Sequence, residues 1–236
     1  MSRLACLLLP FALAACAHAP VAALLLGEQH DAPAHQQHHR ETIASLAARG
    51  QLAGVVVEMA QGGRSTRRLS PAATEQQVRE ALAWNDEAWP WAHYGPAVMA
   101  AVRAGVPVFG SNLDMAQMRA AMADERLDRL LPESALRVQR DAIRQGHCDM
   151  LPEARLPGMV RVQIARDQAM ARAVESAAVA GKTVVLLAGS GHVDPAVGVP
   201  LHLAGRARAR SVMLPRVDTG RDYCAELRNA REKPPA

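Results

Sequence analysis

The chain has 236 residues, of which 50% are hydrophobic, and a formal net charge of +4. This length and apolar content are sufficient for one large domain with a substantial core. The positive charge is modest and, apart from a short run at Arg206, Arg208 and Arg210, is spread along the sequence. Such a distribution is typical of a solvated surface and argues against the concentrated basic patch of a nucleic-acid-binding protein. We therefore expect no nucleic-acid partner.

The N-terminus carries the pattern of an export signal. Arg3 precedes an apolar run, residues 4–13, which is too short to span a bilayer of about 30 Å. The run ends in Leu-Ala-Ala-Cys, which resembles the lipobox of bacterial lipoproteins, whose cysteine is acylated (palmitate is the expected lipid) and exposed by cleavage. The resemblance implies a signal peptide over residues 1–15, a lipid anchor on Cys16 and, because alanine rather than aspartate follows, the outer membrane. An ordinary cleavable signal peptide is the alternative.

Five short apolar runs lack the polar alternation of half-exposed strands and predict buried strands of a parallel sheet, at residues 21–26, 54–59, 106–110, 183–188 and 211–214. Amphipathic stretches predict helices at residues 33–49, 71–83, 95–104, 115–146 and 158–180. This order predicts an α/β fold with a mostly parallel β-sheet flanked by helices. Residues 16–236 are expected to form a single domain, with an inserted helical subdomain at about 113–180 and a frayed tail from about 228.

Polar residues follow the first four predicted strands at the points where the strands end. They are Gly27-Glu28-Gln29-His30, Glu58, Gly110-Ser111-Asn112 and Gly189-Ser190-Gly191-His192. Because parallel strands deliver their carboxyl ends to one edge, where open α/β folds place their sites, two Gly-x-x-His turns and two carboxylates are expected to converge there. The glycines allow close approach to a ligand, and the imidazoles can bind a metal or a proton. The alternative is that these residues only form loops and cap helices.

These segments also carry a family resemblance. Residues 25–31, 57–59 and 189–192 resemble the ChaN-like haem-binding lipoproteins, which belong to a superfamily with the Tiki proteases and the erythromycin esterases. Further matching segments are residues 91–96, 110–113, 147–153 and 163–170, and the likeness extends from about residue 24 to about residue 203. The resemblance implies haem binding in iron uptake, a homodimer with haem at its interface, and an outer-membrane haem receptor as partner.

The aromatic residues are unevenly distributed. Beyond residue 15 the chain has six Phe, Trp and Tyr residues, and four of them lie between residues 84 and 94. A flat apolar ligand needs such a cluster with a donor nearby, so Trp91 is a candidate for contacting haem. Tyr94 is the candidate iron ligand because a phenolate can hold haem iron, and Tyr223 is the alternative. The segment could instead only dock the helical subdomain onto the sheet.

Two predicted helical faces carry polar side chains. His35, His38 and His39 have i, i+3, i+4 spacing, which predicts a solvated face with His35 as the exception; a metal- or haem-contacting face is the alternative. Gln163, Arg166 and Asp167 also share one face, and we expect this group to reach the strand ends and orient their histidines. With the resemblance, Arg166 joins His30 and His192 as a candidate haem-binding residue. A plain surface Arg-Asp pair is the alternative.

Two cysteines remain beside Cys16 in the exported chain, at positions 148 and 224. An oxidising compartment favours a disulfide between Cys148 and Cys224, while two buried thiols are the alternative.

The sequence thus supports two hypotheses. In the first, the protein binds and passes on haem without turnover, and this is the interpretation that the aromatic segment and the lipid anchor favour. In the second, it is an esterase or peptidase in which His30, His192 and a carboxylate hold a divalent metal that activates water, with Glu28 or Glu58 as general base. His30 activating water directly is a variant of the second hypothesis.

Overall fold

The computed structural model describes residues 22–204 and 208–232. The expected signal peptide, Cys16 and Arg206 lie outside these residues. The strands are β1 (Ala23–Glu28), β2 (Leu52–Gln61), β3 (Val108–Asn112), β4 (Thr183–Gly189) and β5 (Ala209–Met213). The α-helices are α1 (Pro33–Ala48), α2 (Glu75–Leu82), α3 (Trp91–Arg103), α4 (Met115–Ala123), α5 (Glu133–Gly146), α6 (Leu156–Ser176), α7 (Ser190–Val193) and α8 (Tyr223–Glu232). None of these helices is long and apolar enough to cross a membrane.

The five strands form one sheet in the order β3-β2-β4-β1-β5, and every neighbouring pair is parallel. Parallel neighbours need long crossover connections, which the helices supply. The carboxyl ends of all five strands therefore lie at one edge, here called the carboxyl edge, and their starts lie at the opposite amino edge. This arrangement confirms the predicted α/β class.

The two faces of the sheet are both buried, which explains why the strands lack polar alternation. Successive side chains of a strand point to opposite faces. One face packs against α1 and α3 and includes Leu26, Val57, Leu187, Ile43 and Val98. The other face packs mainly against α6 and includes Leu25, Val56, Leu186, Met170 and Val174.

The interval between β3 and β4 contains α4, α5 and α6 and, in the described structure, no strand. These helices have a core of their own that includes Leu127, Leu136, Ile143, Val160 and Ile164. The prediction of one helix over residues 115–146 is wrong. Asp124 is extended and its side chain accepts a hydrogen bond from the Arg126 N–H, which starts a 3-10 turn, and Pro132 then precedes α5.

Other helix and strand boundaries differ from the predicted ones for local reasons. Helix α2 begins at Glu75 rather than at residue 71, because Thr74 and Gln77 form a capping box. Strand β3 lies two residues later than predicted, which brings Asn112 into the strand. The tail is not frayed at residue 228, since α8 continues to Glu232.

Candidate functional site

Glu58, near the end of β2, lies at the centre of the carboxyl edge. Its Oε2 accepts the Gly189 N–H at 2.7 Å, and its Oε1 accepts Nη2 of Arg166 at 2.5 Å. The Nε2 atoms of His192 and His30 lie 3.6 Å and 4.0 Å from its two oxygens. Burial would raise the pKa of Glu58, but the charges of His192 and Arg166 hold it at about 2. An ionised carboxylate therefore joins both Gly-x-x-His turns to α6.

Each Gly-x-x-His imidazole is paired with a carboxylate through Nδ1. His30 Nδ1 lies 2.7 Å from Glu28 Oε1, and His192 Nδ1 lies 2.6 Å from Asp167 Oδ1. A carboxylate that accepts the Nδ1–H fixes the tautomer and leaves Nε2 able to take a proton or a ligand. Both Nε2 atoms face Glu58, so two similar His-carboxylate pairs flank one central carboxylate.

The two imidazoles differ in access to solvent. Burial lowers the pKa of His192, but Glu58 and Asp167 raise it above its usual value overall. Burial likewise lowers the pKa of His30, while the hydrogen bond with Glu28 and the charge of Glu58 raise it overall. The side chain of His30 is 40% exposed and that of His192 is 9% exposed. His30 is therefore the imidazole that a ligand reaches first.

Gly189 lets the backbone approach His30 closely. A Cβ at this position would lie 2.9 Å from His30 Nε2 and 3.7 Å from Glu58 Oε2. A glycine is therefore required at this position for close packing, and the close approach lets the Gly189 N–H donate to Glu58.

Glu28 is buried at the end of β1 and, besides its contact with His30, accepts a hydrogen bond from a second side chain. The Tyr94 hydroxyl donates to its Oε1 at 2.7 Å. His39 Nδ1 lies 3.2 Å from its Oε2 without the geometry of a hydrogen bond, and among the described residues neither nitrogen of His39 has a hydrogen-bond partner. Burial lowers the pKa of His39 to about 3, so this imidazole is neutral. It is a buried polar group with incomplete hydrogen bonding.

The predicted solvated face of α1, from which His35 was excepted, is wrong for His39. His35 and His39 are buried, because this side of α1 faces β1 and α3. His35 accepts the Gln29 N–H at 3.0 Å, and its Nε2 lies 3.0 Å from the Pro215 carbonyl, to which it donates. His35 thus connects the end of β1 with the chain that follows β5.

The aromatic segment does not form the open surface expected from the sequence. Trp91 is 8% exposed and Tyr94 is 2% exposed, and both belong to the core cluster between α3 and the sheet. The Trp91 indole donates to Glu75 at 2.9 Å. Trp89 remains partly exposed, with its ring centroid 4.9 Å from that of His30. The segment packs largely on itself, because Trp91 and Tyr94, three positions apart on α3, both face inward.

The oxygen of Tyr94 is closed to ligands in this conformation. Burial and the negative charge of Glu28 raise the pKa of Tyr94, so the phenol stays protonated. The assignment of Tyr94 as iron ligand stays a prediction that requires its hydrogen bond to Glu28 to break.

A cleft of about 330 Å³ is lined by the Glu58 cluster and by residues of α5 and α6. The helical insertion contributes Gln139, His147 and Gln163 to its lining, opposite His30 and His192. This volume is near the lower limit for small-molecule pockets. Among residues 22–204 and 208–232, no group of three or more His, Cys, Asp or Glu side chains is arranged to hold a metal ion. The divalent-metal site stays an expectation.

The C-terminal segment, residues 214–232, contacts the loop after β1. The hydroxyls of Tyr223 and Thr219 both donate to Asp31 Oδ2, at 2.8 Å for Thr219. Partial burial would raise the pKa of Asp31, but these hydrogen bonds lower it to about 2. Cys224 forms a disulfide with Cys148, with a Cα–Cα distance of 5.6 Å. The sequence did not predict the hydrogen bonds of Asp31, because its partners are about 190 residues away in sequence.

The chain is similar to a known protein family and to solved structures. A family model described as haem-binding uptake, Tiki superfamily, ChaN matches residues 14–203. The solved ChaN of Campylobacter jejuni, described for its cofacial haem binding, is similar at 22% identity with a TM-score of 0.70, over 86% of this chain and 84% of that chain. The type III effector HopBA1 aligns at 18% identity with a TM-score of 0.42, over 72% and 67% of the chains, too weakly to support an inference. No curated protein matches the chain.

Proposed function

This chain belongs to the family of haem-binding uptake proteins of the Tiki superfamily that includes ChaN, and from this membership we propose that it binds haem in iron acquisition. The observation that carries the proposal is the family match over residues 14–203, which contains both Gly-x-x-His turns and Glu58. ChaN of Campylobacter jejuni, which has the same fold, binds haem cofacially. Haem is cargo in this proposal, and no step of turnover is required.

We propose Tyr223 as the first candidate for the iron ligand. The chain has two tyrosines. Tyr94 is 2% exposed and donates to Glu28, whereas Tyr223 is 41% exposed. A phenol that donates to an ionised carboxylate such as Asp31 gains negative charge on its oxygen, which favours binding to ferric iron. Tyr223 lies beyond the residues that the family model matches, so this assignment depends on the geometry alone.

The surroundings of Tyr223 are compatible with a porphyrin. Val217, 39% exposed, lies nearby, and its N–H donates to the Gln29 side chain at 3.2 Å. The Arg221 guanidinium stands 5.1 Å from the centre of the Tyr223 ring and forms a bidentate ion pair with Glu226, which a haem propionate would have to displace in order to pair with Arg221. Gln29 precedes His30, so the exposed imidazole borders the same surface. Arg166 and His192 contact Glu58 on its buried side. They would support this surface without contacting the porphyrin ring.

A titration of the purified full chain with haemin, followed by absorption spectroscopy, tests haem binding. We expect a saturable shift of the Soret band with fixed stoichiometry. A spectrum that remains the sum of free haemin and protein would remove the proposal. An equal amount of bovine serum albumin, which takes up haemin at its own sites, provides the spectral reference for non-specific binding.

We further propose that the protein is a lipoprotein of the bacterial outer membrane, anchored through acyl chains on Cys16. The support is the Leu-Ala-Ala-Cys sequence at residues 13–16. Cys16→Ser would release the protein to the soluble fraction, because burial of acyl chains contributes about 0.8 kcal/mol per CH₂. Retention of the mutant in the membrane pellet, with unchanged signal processing, contradicts the anchor.

A second copy of the chain and an outer-membrane haem receptor are the proposed partners. Cofacial haem binding in the Campylobacter relative supports the dimer, because two stacked rings need two surfaces. Analytical ultracentrifugation with and without haemin tests the dimer, and a monomer under both conditions excludes it.

A second candidate function is hydrolysis, which the two His-carboxylate pairs favour. His30 has its Nδ1 held by Glu28, a raised pKa and partial exposure, the properties of a general base toward a water molecule in the cleft. In this candidate His30→Ala abolishes turnover of ester or peptide substrates, and haemin binding changes less. Assays with added Mn²⁺ and after chelation separate a metal-dependent reaction from a His-dependent one.

A further inference from the structure

The amino edge of the sheet carries a series of exposed cations. Arg49, Arg103, Lys182 and Arg208 are exposed, and each stands within five residues before a strand: Arg49 before β2, Arg103 before β3, Lys182 before β4 and Arg208 before β5. Because all five strands are parallel, these four residues belong to the same edge. The connections that contain three of them, residues 49–51, 103–107 and 177–182, have no aspartate or glutamate.

The positive charge of this edge is not neutralised by carboxylates in the described structure. Arg49 donates to the side chains of Gln51 and Ser45, and Arg103 donates to two backbone carbonyls at 3.0 Å and 2.9 Å. No ion pair among residues 22–204 and 208–232 includes any of the four cations. Glu175, the acid closest to the edge in sequence, accepts a hydrogen bond from the Ala204 N–H. The edge therefore presents uncompensated positive charge to its surroundings.

Strand β1, to which residues 16–22 connect in the sequence, begins at this same edge. Ala23, the first residue of β1, donates its N–H to the Arg208 carbonyl at 3.1 Å and pairs with Ala209. Cys16 and Ala23 are seven positions apart in the sequence. Even a fully extended chain of that length spans only about 25 Å. An acyl anchor on Cys16 would hold the amino edge within that distance of the lipid.

We propose that the amino edge, defined by Arg49, Arg103, Lys182 and Arg208, docks on an anionic phospholipid surface. The orientation of the domain on the membrane depends on the proposed anchor at Cys16. The electrostatic contact between the amino edge and anionic lipid does not depend on that anchor. Strands of five to ten residues rise about 3.3 Å per residue, so the Glu58 cluster at the carboxyl edge stands about 20 Å from the lipid and faces away from it. A ligand site with this orientation is open to a partner in the aqueous compartment.

Vesicle sedimentation of the full chain carrying Cys16→Ser tests the contact without any acyl chain. We expect binding to phosphatidylcholine vesicles with about 30% phosphatidylglycerol and little binding to phosphatidylcholine alone. The additional substitutions Arg49→Gln, Lys182→Gln and Arg208→Gln each weaken binding about fivefold, on the order of a hundredfold together. Arg103 is left unchanged, because it also holds the backbone before α2. Raising the salt to about 0.5 M weakens the binding of the parent chain.

A matched control removes three exposed arginines from the helical insertion, as Arg119→Gln, Arg129→Gln and Arg155→Gln. This variant has the same net charge and is expected to bind within about threefold of the parent, since the removed charges lie away from the edge. Thermal unfolding of both triple variants should match that of the parent, because all six side chains are exposed. Equal losses in the two variants, or equal binding to both vesicle types, overturn the proposal. If Cys16→Ser stays in the membrane pellet in the fractionation experiment, only the proposed lipid anchor is excluded. The vesicle sedimentation then decides separately whether the amino edge binds anionic lipid.

Discussion

The Tyr94 hydroxyl donates a 2.7 Å hydrogen bond to Glu28 Oε1 inside the protein and joins α3 to the end of β1. The same oxygen lies 2.7 Å from His30 Nδ1, so the phenol and the imidazole share one acceptor. Burial and the charge of Glu28 raise the pKa of Tyr94. Tyr94 is therefore a protonated donor that holds the carboxylate on which the orientation of His30 depends.

Tyr94→Phe should lower the free energy of unfolding by about 1–3 kcal/mol. The substitution keeps the ring but removes a donor to a buried carboxylate, and hydrogen bonds to charged groups contribute in this range. Urea denaturation measures the change. Tyr223→Phe is the control, because its hydroxyl lies at the surface and its loss should cost under about 1 kcal/mol. Equal costs for both variants would contradict the structural role of Tyr94.

Asp167→Asn should lower the pKa of His192, measured by NMR titration of the imidazole. Burial lowers this pKa, and the charges of Glu58 and Asp167 raise it overall, so removing one of the two charges moves it down. A raised folded-state pKa stabilises the protein fully below the usual histidine value of about 6.5, and the contribution is lost as pH rises through the folded-state pKa. The mutant should therefore lose more stability at pH 5 than at pH 9. A uniform loss across this range would show that the ion pair is not responsible.

His39→Leu should make the protein more resistant to acid. The pKa of His39 is lowered to about 3, mainly by burial, so the unfolded chain takes up a proton below about pH 6.5 while the folded chain does not. That linkage destabilises the native state progressively as pH falls from about 6.5 toward 3. Removing a buried imidazole without hydrogen-bond partners should lower the acid-unfolding midpoint, measured by circular dichroism. His38→Leu, at a less buried neighbouring position, is the control and should leave the midpoint unchanged.

Loss of the disulfide should destabilise the native state by up to about 4 kcal/mol. The Cys148–Cys224 bond closes a loop with a sequence separation of 76 residues, and a crosslink over such a loop restricts the unfolded chain strongly. Denaturation of Cys148→Ser/Cys224→Ser, compared with the oxidised parent, measures the effect. Peptide mapping without reductant should find the linked pair, and full alkylation of both thiols in the untreated protein would contradict the bond.

The sequence predicted the parts of the site that depend on strand ends. Glu58, His30 and His192 converge because parallel strands finish at one edge, and the spacing of Arg166 and Asp167 on α6 brings both to these residues. The apolar runs predicted the sheet for the same reason, since strands buried on both faces have no polar alternation.

What the sequence did not predict depends on contacts between distant segments. The burial of Tyr94 follows from the packing of α3 against α1 and the sheet, which the aromatic composition of the segment does not encode. The pairing of Asp31 with Tyr223 joins residues 192 positions apart. The burial of His39 was not predicted because hydrophobic periodicity counts a histidine as polar, although a neutral imidazole can be buried.

The proposed binding of haem at the carboxyl edge through an accessible tyrosine is tested most directly by haemin titration of Tyr223→Phe beside Tyr94→Phe. Both variants keep the aromatic ring and remove one phenol oxygen. If Tyr223 is the ligand, its variant loses the phenolate-to-iron charge-transfer band and binds haemin at least about tenfold more weakly, while Tyr94→Phe keeps the band. Loss of the band in Tyr94→Phe alone would assign the iron to the buried tyrosine after an opening of its hydrogen bond to Glu28. An unchanged spectrum in both variants would contradict tyrosine ligation altogether.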